Sequence, residues 1–254
     1  GFVSADRLPL GLWIQALFAR IFGFGPSALR LPQALSAVGS CYVLYRLIRL
    51  NAGDDGLGRW CGLLGAIVLA VTPVFAASAR SAATDMPLLL LLLLAAWAFS
   101  AAAVRGGGAW ITALGAFSIG LGFHIGSLRA LWTLPAMAAV YLIRIPDPDS
   151  PAEPRLARRA VCLACALAVL VATGAAWMTS VTLTDEAERP WIGGSGNNSA
   201  FALISWDTGP SEDEAFAEEP GADRFFGPVW GGQIAWMMVP AALGGILSLV
   251  VAII

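Results

Sequence analysis

Long apolar runs separated by short polar breaks dominate the chain. A run of about 20 residues crosses the hydrocarbon core of a bilayer as a helix. Runs of this kind cover residues 28–48, 60–79, 86–104, 160–180 and 237–254. The stretch 109–143 is too long for one such helix, and a polar step from His124 to Arg129 interrupts it. It reads as two short helices, 109–123 and 130–143, joined by a turn. The pattern therefore predicts an all-α, polytopic transmembrane bundle with about seven membrane helices. Ahead of them, from Leu10 to Phe24, the apolar pattern is broken by Trp13, Gln15 and Arg20 and follows Pro9. That spacing suits an amphipathic helix lying in the membrane interface.

The charges orient these segments. With two helices in 109–143, Arg46, Arg49, Arg59, Arg105, Arg144, Arg155, Arg158 and Arg159 fall on one side, which the positive-inside rule makes the cytoplasm. A single helix there would move the Arg155–Arg159 cluster to the other side. Residues 1–27 then form the end of an outer loop carrying the interfacial helix, and the breaks at 80–87 and 124–129 also face outward. So does the loop 181–236, with ten acids against Arg189 and Arg224. A connection of that length is more often functional or disordered than a simple tie.

Composition narrows the class further. The chain is 58% hydrophobic and 13% charged, with a mean hydropathy of +0.74. A soluble domain of this size carries about 25% charge, so a soluble enzyme core, a disordered chain and a disulfide-stapled secreted domain are excluded. A net charge of −2 offers no field to recruit nucleic acid. All fifteen basic residues are Arg, a codon-usage signature of GC-rich bacteria. Cys41, Cys61, Cys162 and Cys165 sit in or beside apolar runs, where free Cys behaves as a small hydrophobe. Cys162 and Cys165 alone are too few for a metal centre. The chain starts at Gly1 without an initiator Met and stops inside an apolar run, so it reads as a fragment of a longer membrane protein.

Ionisable residues at membrane depth are expensive and point to function. Asp6, Arg7, Arg80, Asp85, His124 and Arg129 all fall at the outer rim. Each has a plainer reading. Asp85 precedes Met86-Pro87 at a helix start, where an acid caps the helix or meets its dipole. Arg7 and Arg129 can snorkel to the interface, and a lone His such as His124 is commonly a packing residue. Together they make a ring of mixed charge suited to a phosphate-bearing lipid headgroup and a base. In the large loop, Gly193-Gly194-Ser195-Gly196-Asn197-Asn198-Ser199 and Gly231-Gly232-Gln233-Ile234 offer amides and backbone N–H groups to a sugar or phosphate, or form flexible turns.

These residues carry a resemblance. The run Gly1-Phe2-Val3-Ser4-Ala5-Asp6-Arg7-Leu8-Pro9-Leu10-Gly11-Leu12-Trp13-Ile14-Gln15-Ala16-Leu17 resembles the first outer loop of bacterial polyprenyl-phosphate-dependent membrane glycosyltransferases of glycosyltransferase family 39. Those enzymes are relatives of protein mannosyltransferases and of the lipid A aminoarabinose transferase. The likeness continues through Leu31-Pro32-Gln33-Ala34-Leu35, Leu69-Ala70-Val71-Thr72-Pro73, Asp85-Met86-Pro87, Gly120-Leu121-Gly122-Phe123 and Leu134-Pro135-Ala136. It ends with Arg189-Pro190-Trp191-Ile192-Gly193-Gly194-Ser195, Asn197-Asn198-Ser199 and Gly231-Gly232-Gln233-Ile234.

The resemblance implies a GT-C type fold in a bacterial cytoplasmic membrane. It implies transfer of a sugar from a polyprenyl-phosphate donor to a lipid, glycan or protein acceptor outside that membrane. Asp6 and Asp85 are the carboxylates it points to, with the main base expected upstream of Gly1. Arg7 takes the place of a phosphate-binding Lys, with Arg80, His124 and Arg129 as further donor-phosphate contacts. Asn197, Asn198 and Gln233 would face substrate from the outer loop. No metal ligands are implied and no cofactor is assured; a divalent metal stays open. Membrane lipids are the expected surroundings, and nucleic acid is not a partner. Leu8, Ser81-Ala82-Ala83-Thr84 and Trp206-Asp207-Thr208-Gly209 depart from the family pattern. A lipid-linked-sugar transporter, or a non-catalytic lipid-binding homologue, would be built from similar parts.

Overall fold

The computed structural model describes residues 8–53, 55–105, 108–143 and 156–185, together with 188, 191–192, 199–201 and 203–204. Among them the regular structure is helical throughout: α1 Pro9–Phe22, α2 Pro26–Ala52, α3 Gly56–Val71, α4 Pro73–Arg80, α5 Asp85–Val104, α6 Ala109–Gly126, α7 Leu128–Leu131, α8 Leu134–Ile143 and α9 Leu156–Leu183. α5, α6 and α9 are each long and apolar enough to cross a membrane. The bent pair α3–α4 makes a fourth if counted as one span. α2 has the length, at 27 residues, but Arg30, Arg46 and Arg49 dilute its apolar character. The stretches 144–155 and 205–254, which include the expected span 237–254, lie outside the described residues.

The expected span 60–79 is divided. α3 and α4 meet at a 63° bend. The cause is local: Pro73 lacks an N–H and its ring bars the preceding residue from helical backbone. Thr72 is accordingly extended, at φ −63° and ψ 121°, and its hydroxyl donates back to the Val68 carbonyl at 2.7 Å. Pro87 has no such effect in α5, because it falls in the first turn, where the amide has no helical partner to lose. The expected turn 124–129 is also shorter than its polarity suggests. α6 continues through His124 to Gly126 and breaks only at Ser127, whose φ of 49° takes the backbone out of the helix.

The core forms where α5, α6, α8 and α9 meet, around Ala95, Phe99, Ala116, Ile119, Tyr141 and Leu170. Small residues set the spacing. A Cβ at Gly115 would stand 2.9 Å from the Phe99 ring, and one at Gly120 2.7 Å from the Thr173 Cβ. Close backbone approach of this kind drives helix association where burial of apolar surface from water cannot. α5 runs antiparallel to α6, with Gly115 against Phe99 and Gly122 against Leu88, whereas α6 and α9 run parallel, with Gly120 at Leu170 and Phe123 at Gly174. This topology gives the bundle two charged ends. Arg46, Arg49, Arg59, Arg105, Arg158 and Arg159 belong to helix ends opposite Asp85. At that end the Arg159 guanidinium donates to the Leu142 carbonyl at 3.0 Å and stacks over Tyr141.

Candidate functional site

Asp85 opens α5. It occupies the first turn, with Thr84 at the cap position, so its carboxylate meets the positive end of the helix dipole without capping the helix. Arg129, on the short helix α7, brings a guanidinium nitrogen to 3.9 Å from the Asp85 carboxylate. Both side chains are about half exposed, at 52% for Arg129 and 50% for Asp85. An ion pair this open contributes about 0–1 kcal/mol to stability. It is poorly suited as a structural tie and well placed to exchange partners with a ligand.

The approach to Asp85 is built with care. Arg80 ends α4, exposed, and Ser81 closes the helix by donating its hydroxyl to the Ser78 carbonyl at 2.9 Å. The Ala83 amide donates to the Ser81 hydroxyl at 3.1 Å. From α1, the Gln15 side-chain amide donates to the Ala82 carbonyl at 2.6 Å. One turn earlier on α1, Gly11 lies against Thr84. Leu8, just before α1, is buried in the same core cluster as Leu88 and Ala130, which ties the start of α1 to this end of the bundle.

His124 does a different job from the one its position in the sequence suggests. It is buried in α6, and its Nε2–H donates to the Thr173 carbonyl of α9 at 2.8 Å. Because a carbonyl can only accept, Nε2 carries the proton. Nδ1 is buried with no hydrogen-bond partner among the described residues. The ring packs edge-on to Phe123. His124 thus bridges two helices, and the reading as a packing residue accounts for it. Thr173 has its own hydroxyl bonded to the Val169 carbonyl at 2.7 Å, which leaves its carbonyl side for the imidazole.

The flanks of the glycine- and asparagine-rich run are anchored. Ile192, Ala200 and Leu203 form a buried cluster packed on Trp177 and Val181, in the last turns of α9. Asp6, Arg7, Asn197, Asn198 and Gln233 lie outside the described residues. Among the described residues no three His, Cys, Asp or Glu side chains converge on a metal-sized site. Two polar groups escaped the reading of the sequence. Gln33 is fully buried in α2 with neither amide atom hydrogen-bonded among the described residues, and the Ser127 hydroxyl is buried in the same state. Gln33 sits in the quoted Leu31-Pro32-Gln33 run, but nothing in that run announces its burial. An apolar cavity of about 340 Å³ opens between α5, α6, α8 and α9, bounded by Phe99, Ala116, Leu134, Leu163 and Leu170.

Fold and site define an all-helical membrane protein with an accessible carboxylate–guanidinium pair at one end of the bundle. The chain belongs to the dolichyl-phosphate-mannose-protein mannosyltransferase family, whose profile matches residues 6–177. Two curated relatives come from Bacillus subtilis (strain 168). "Putative mannosyltransferase YycA" is 33% identical over 232 residues, covering 91% of this chain and 30% of the relative. "Putative mannosyltransferase YkcB" is 35% identical over 203 residues, covering 80% of this chain and 26% of the relative. The chain thus spans less than a third of the length of the curated relatives it matches. No solved structure matches it.

Proposed function

We propose that this chain forms the donor-binding part of a membrane glycosyltransferase. That enzyme moves a sugar, mannose or a close relative, from a polyprenyl-phosphate donor to an acceptor at the outer face of the cytoplasmic membrane. The observation that carries the reading is the half-exposed Asp85–Arg129 pair in a chain of this family. In the proposed reaction the acceptor hydroxyl oxygen attacks the anomeric carbon as the bond from that carbon to the phosphate oxygen breaks. The hydroxyl proton passes to a carboxylate, Asp85 or Asp6, and the leaving polyprenyl phosphate takes the bonding pair. Arg129, with Arg7 and Arg80, stabilises the charge on that phosphate. Guanidinium suits the role, because it stays protonated and can hold two phosphate oxygens at once. His124 holds α6 to α9 and so supports the α7 corner from which Arg129 projects. Asn197, Asn198 and Gln233 are proposed to contact the sugar or acceptor, and the apolar cavity offers room for part of a lipid tail.

The placement of charge favours this over transport. A transporter that carries a charged headgroup across needs ionisable groups near the bilayer midplane. Among the described residues, the Arg, Asp and Glu side chains fall near helix ends or in connections. The test is transfer of radiolabelled mannose from polyprenyl-phosphate mannose by the full-length protein in membranes, comparing wild type with Arg129→Ala and Asp85→Asn. Loss of a charge-stabilising or proton-accepting group reduces turnover by about 10²-fold. Wild-type rates in both variants would remove the pair from the mechanism. No transfer by the wild type, with lipid binding retained, would instead favour a non-catalytic lipid-binding protein.

A further inference from the structure

We propose that α1 is a fixed clamp on the loop that carries Asp85, and that Gln15 and Gly11 are its positioning residues. The inference deepens the function proposed above and rests on Asp85 acting there. Its starting point is that α1 is built the wrong way round for a helix of a soluble protein. The residues it turns inward are Pro9, Gly11 and Gln15, whereas Leu12, Trp13, Leu17, Ile21 and Phe22 are exposed. The outward apolar side suits a lipid surface. Its inward side packs on α2 and α6 with little large apolar surface, and beside that packing it makes two specific contacts.

Both contacts fall on the residues just before Asp85. Gln15 donates to the Ala82 carbonyl at 2.6 Å and is itself buried. Gly11 approaches so closely that an added Cβ would lie 2.6 Å from Thr84 Cγ2 and 2.8 Å from Thr84 Cβ. Residues 11 and 15 are one helical turn apart, so they share a face. They grip Ala82 and Thr84, on either side of Ala83, immediately before the helix whose first residue is Asp85. Ser81 fixes the other end of the segment through Ser78 and Ala83. Gln15 and Gly11 act on Asp85 through the loop, by way of Ala82 and Thr84. Displacement of a reacting group by about 1 Å costs as much as 10²-fold in rate, so a short rigid lead into Asp85 matters more than its size suggests.

The test uses the full-length protein in lipid vesicles and has three arms. In the first, the double variant Gly11→Cys with Thr84→Cys is oxidised mildly. The wild-type approach is tight, and a small outward shift reaches the roughly 3.5–4.5 Å between Cβ atoms of a disulfide. A disulfide is expected, and none is expected for Gly23→Cys with Thr84→Cys, since nothing lies within 4 Å of a Cβ at Gly23. Failure of the first pair to link would overturn the clamp. In the second arm, hydrogen exchange is followed in the peptide spanning 81–86. Gln15→Leu and Gln15→Glu, which cannot donate to the Ala82 carbonyl, should each speed exchange by about tenfold or more, and Gln15→Asn should do so less. Exchange at the wild-type rate in all three would also overturn it.

The third arm is sugar transfer. Gln15→Glu should lower kcat by roughly tenfold with donor KM unchanged, and Gln15→Asn should recover part of the loss. The disulfide-linked enzyme is compared with its own reduced form, which already carries the shift that the added Cβ imposes, and the two should turn over alike; an enzyme silent until reduced would show that α1 must lift, and would replace the fixed clamp with a moving lid. If the wild type transfers no sugar, the functional reading fails, and the first two arms still decide the clamp.

Discussion

At the scale of single residues, the informative positions are those whose side chains lack the partners their burial calls for. Ser127 combines a φ of 49° with a fully buried hydroxyl that finds no partner among the described residues. Only glycine takes that backbone region freely, and a non-glycine residue held there costs about 1 kcal/mol or more. Ser127→Gly is therefore expected to raise the melting temperature of the purified protein, with a gain of about 1 kcal/mol. Gln33 makes a complementary case. A buried amide with no hydrogen bonds costs about 1–3 kcal/mol, and an apolar residue of similar shape avoids that cost. Gln33→Leu should be neutral or stabilising by thermal denaturation in detergent; a loss of several kcal/mol would show that the amide is paired in the folded protein. Neither feature was legible beforehand. The sequence shows that Ser127 falls in a polar step and that Gln33 follows a proline, but backbone sign and side-chain burial arise only from how α6, α7 and α2 pack.

At the scale of helices, apolar run length conveyed the all-α membrane class, because membrane helices must satisfy their backbone internally and announce themselves by continuous apolar sequence. The ends were harder to place. The 63° bend at Pro73 hides inside one uninterrupted apolar run, since hydropathy is blind to a missing amide proton. Polarity alone places His124 in a turn, yet the helix carries it inward to the Thr173 carbonyl. A polar side chain ends a helix only when the backbone outcompetes its other partners. The α6–α9 contact depends on small residues, so it has a sharp prediction. Gly120→Val places a branched side chain where even a Cβ would be 2.7 Å from Thr173. Overpacking of this kind typically costs 1–3 kcal/mol, and the variant should unfold at lower temperature and lose the slow-exchanging amides of both helices. Gly108→Ser, in open space at the N-terminal cap of α6, where Ser is as well suited as Gly, should do neither.

At the scale of the whole molecule, the separation of charge into two ends is the feature that the sequence conveyed best. Arginine counts on alternate loops predicted it, and the helix directions agree, placing Arg49 and Arg105 away from Asp85 and Arg129. The candidate site was legible only as a set of rim residues. Its pairing of Asp85 with Arg129 requires α5 and α7 to meet across 44 residues of sequence, which no local pattern encodes. Orientation remains a proposal with a direct check. In intact cells, Ala82→Cys should react with a membrane-impermeant maleimide, whereas Asn51→Cys, at the end of α2, should react only after permeabilisation. The reverse pattern would invert the molecule and remove the proposed site from the outer face.

The hydrogen bond from Gln15 to Ala82 spans 67 residues of chain, and that distance has a meaning during biosynthesis. A ribosome adding about 5–20 residues each second adds Gln15 roughly 3 to 13 s before Ala82. For that interval the helix has α2 beside it but lacks the loop it grips in the finished fold. Its leucines and tryptophan face outward even in the finished fold, so the headgroup layer can shelter it while two more segments are threaded into the membrane. The same side chains that look misplaced on a folded bundle thus give a newborn helix somewhere to wait.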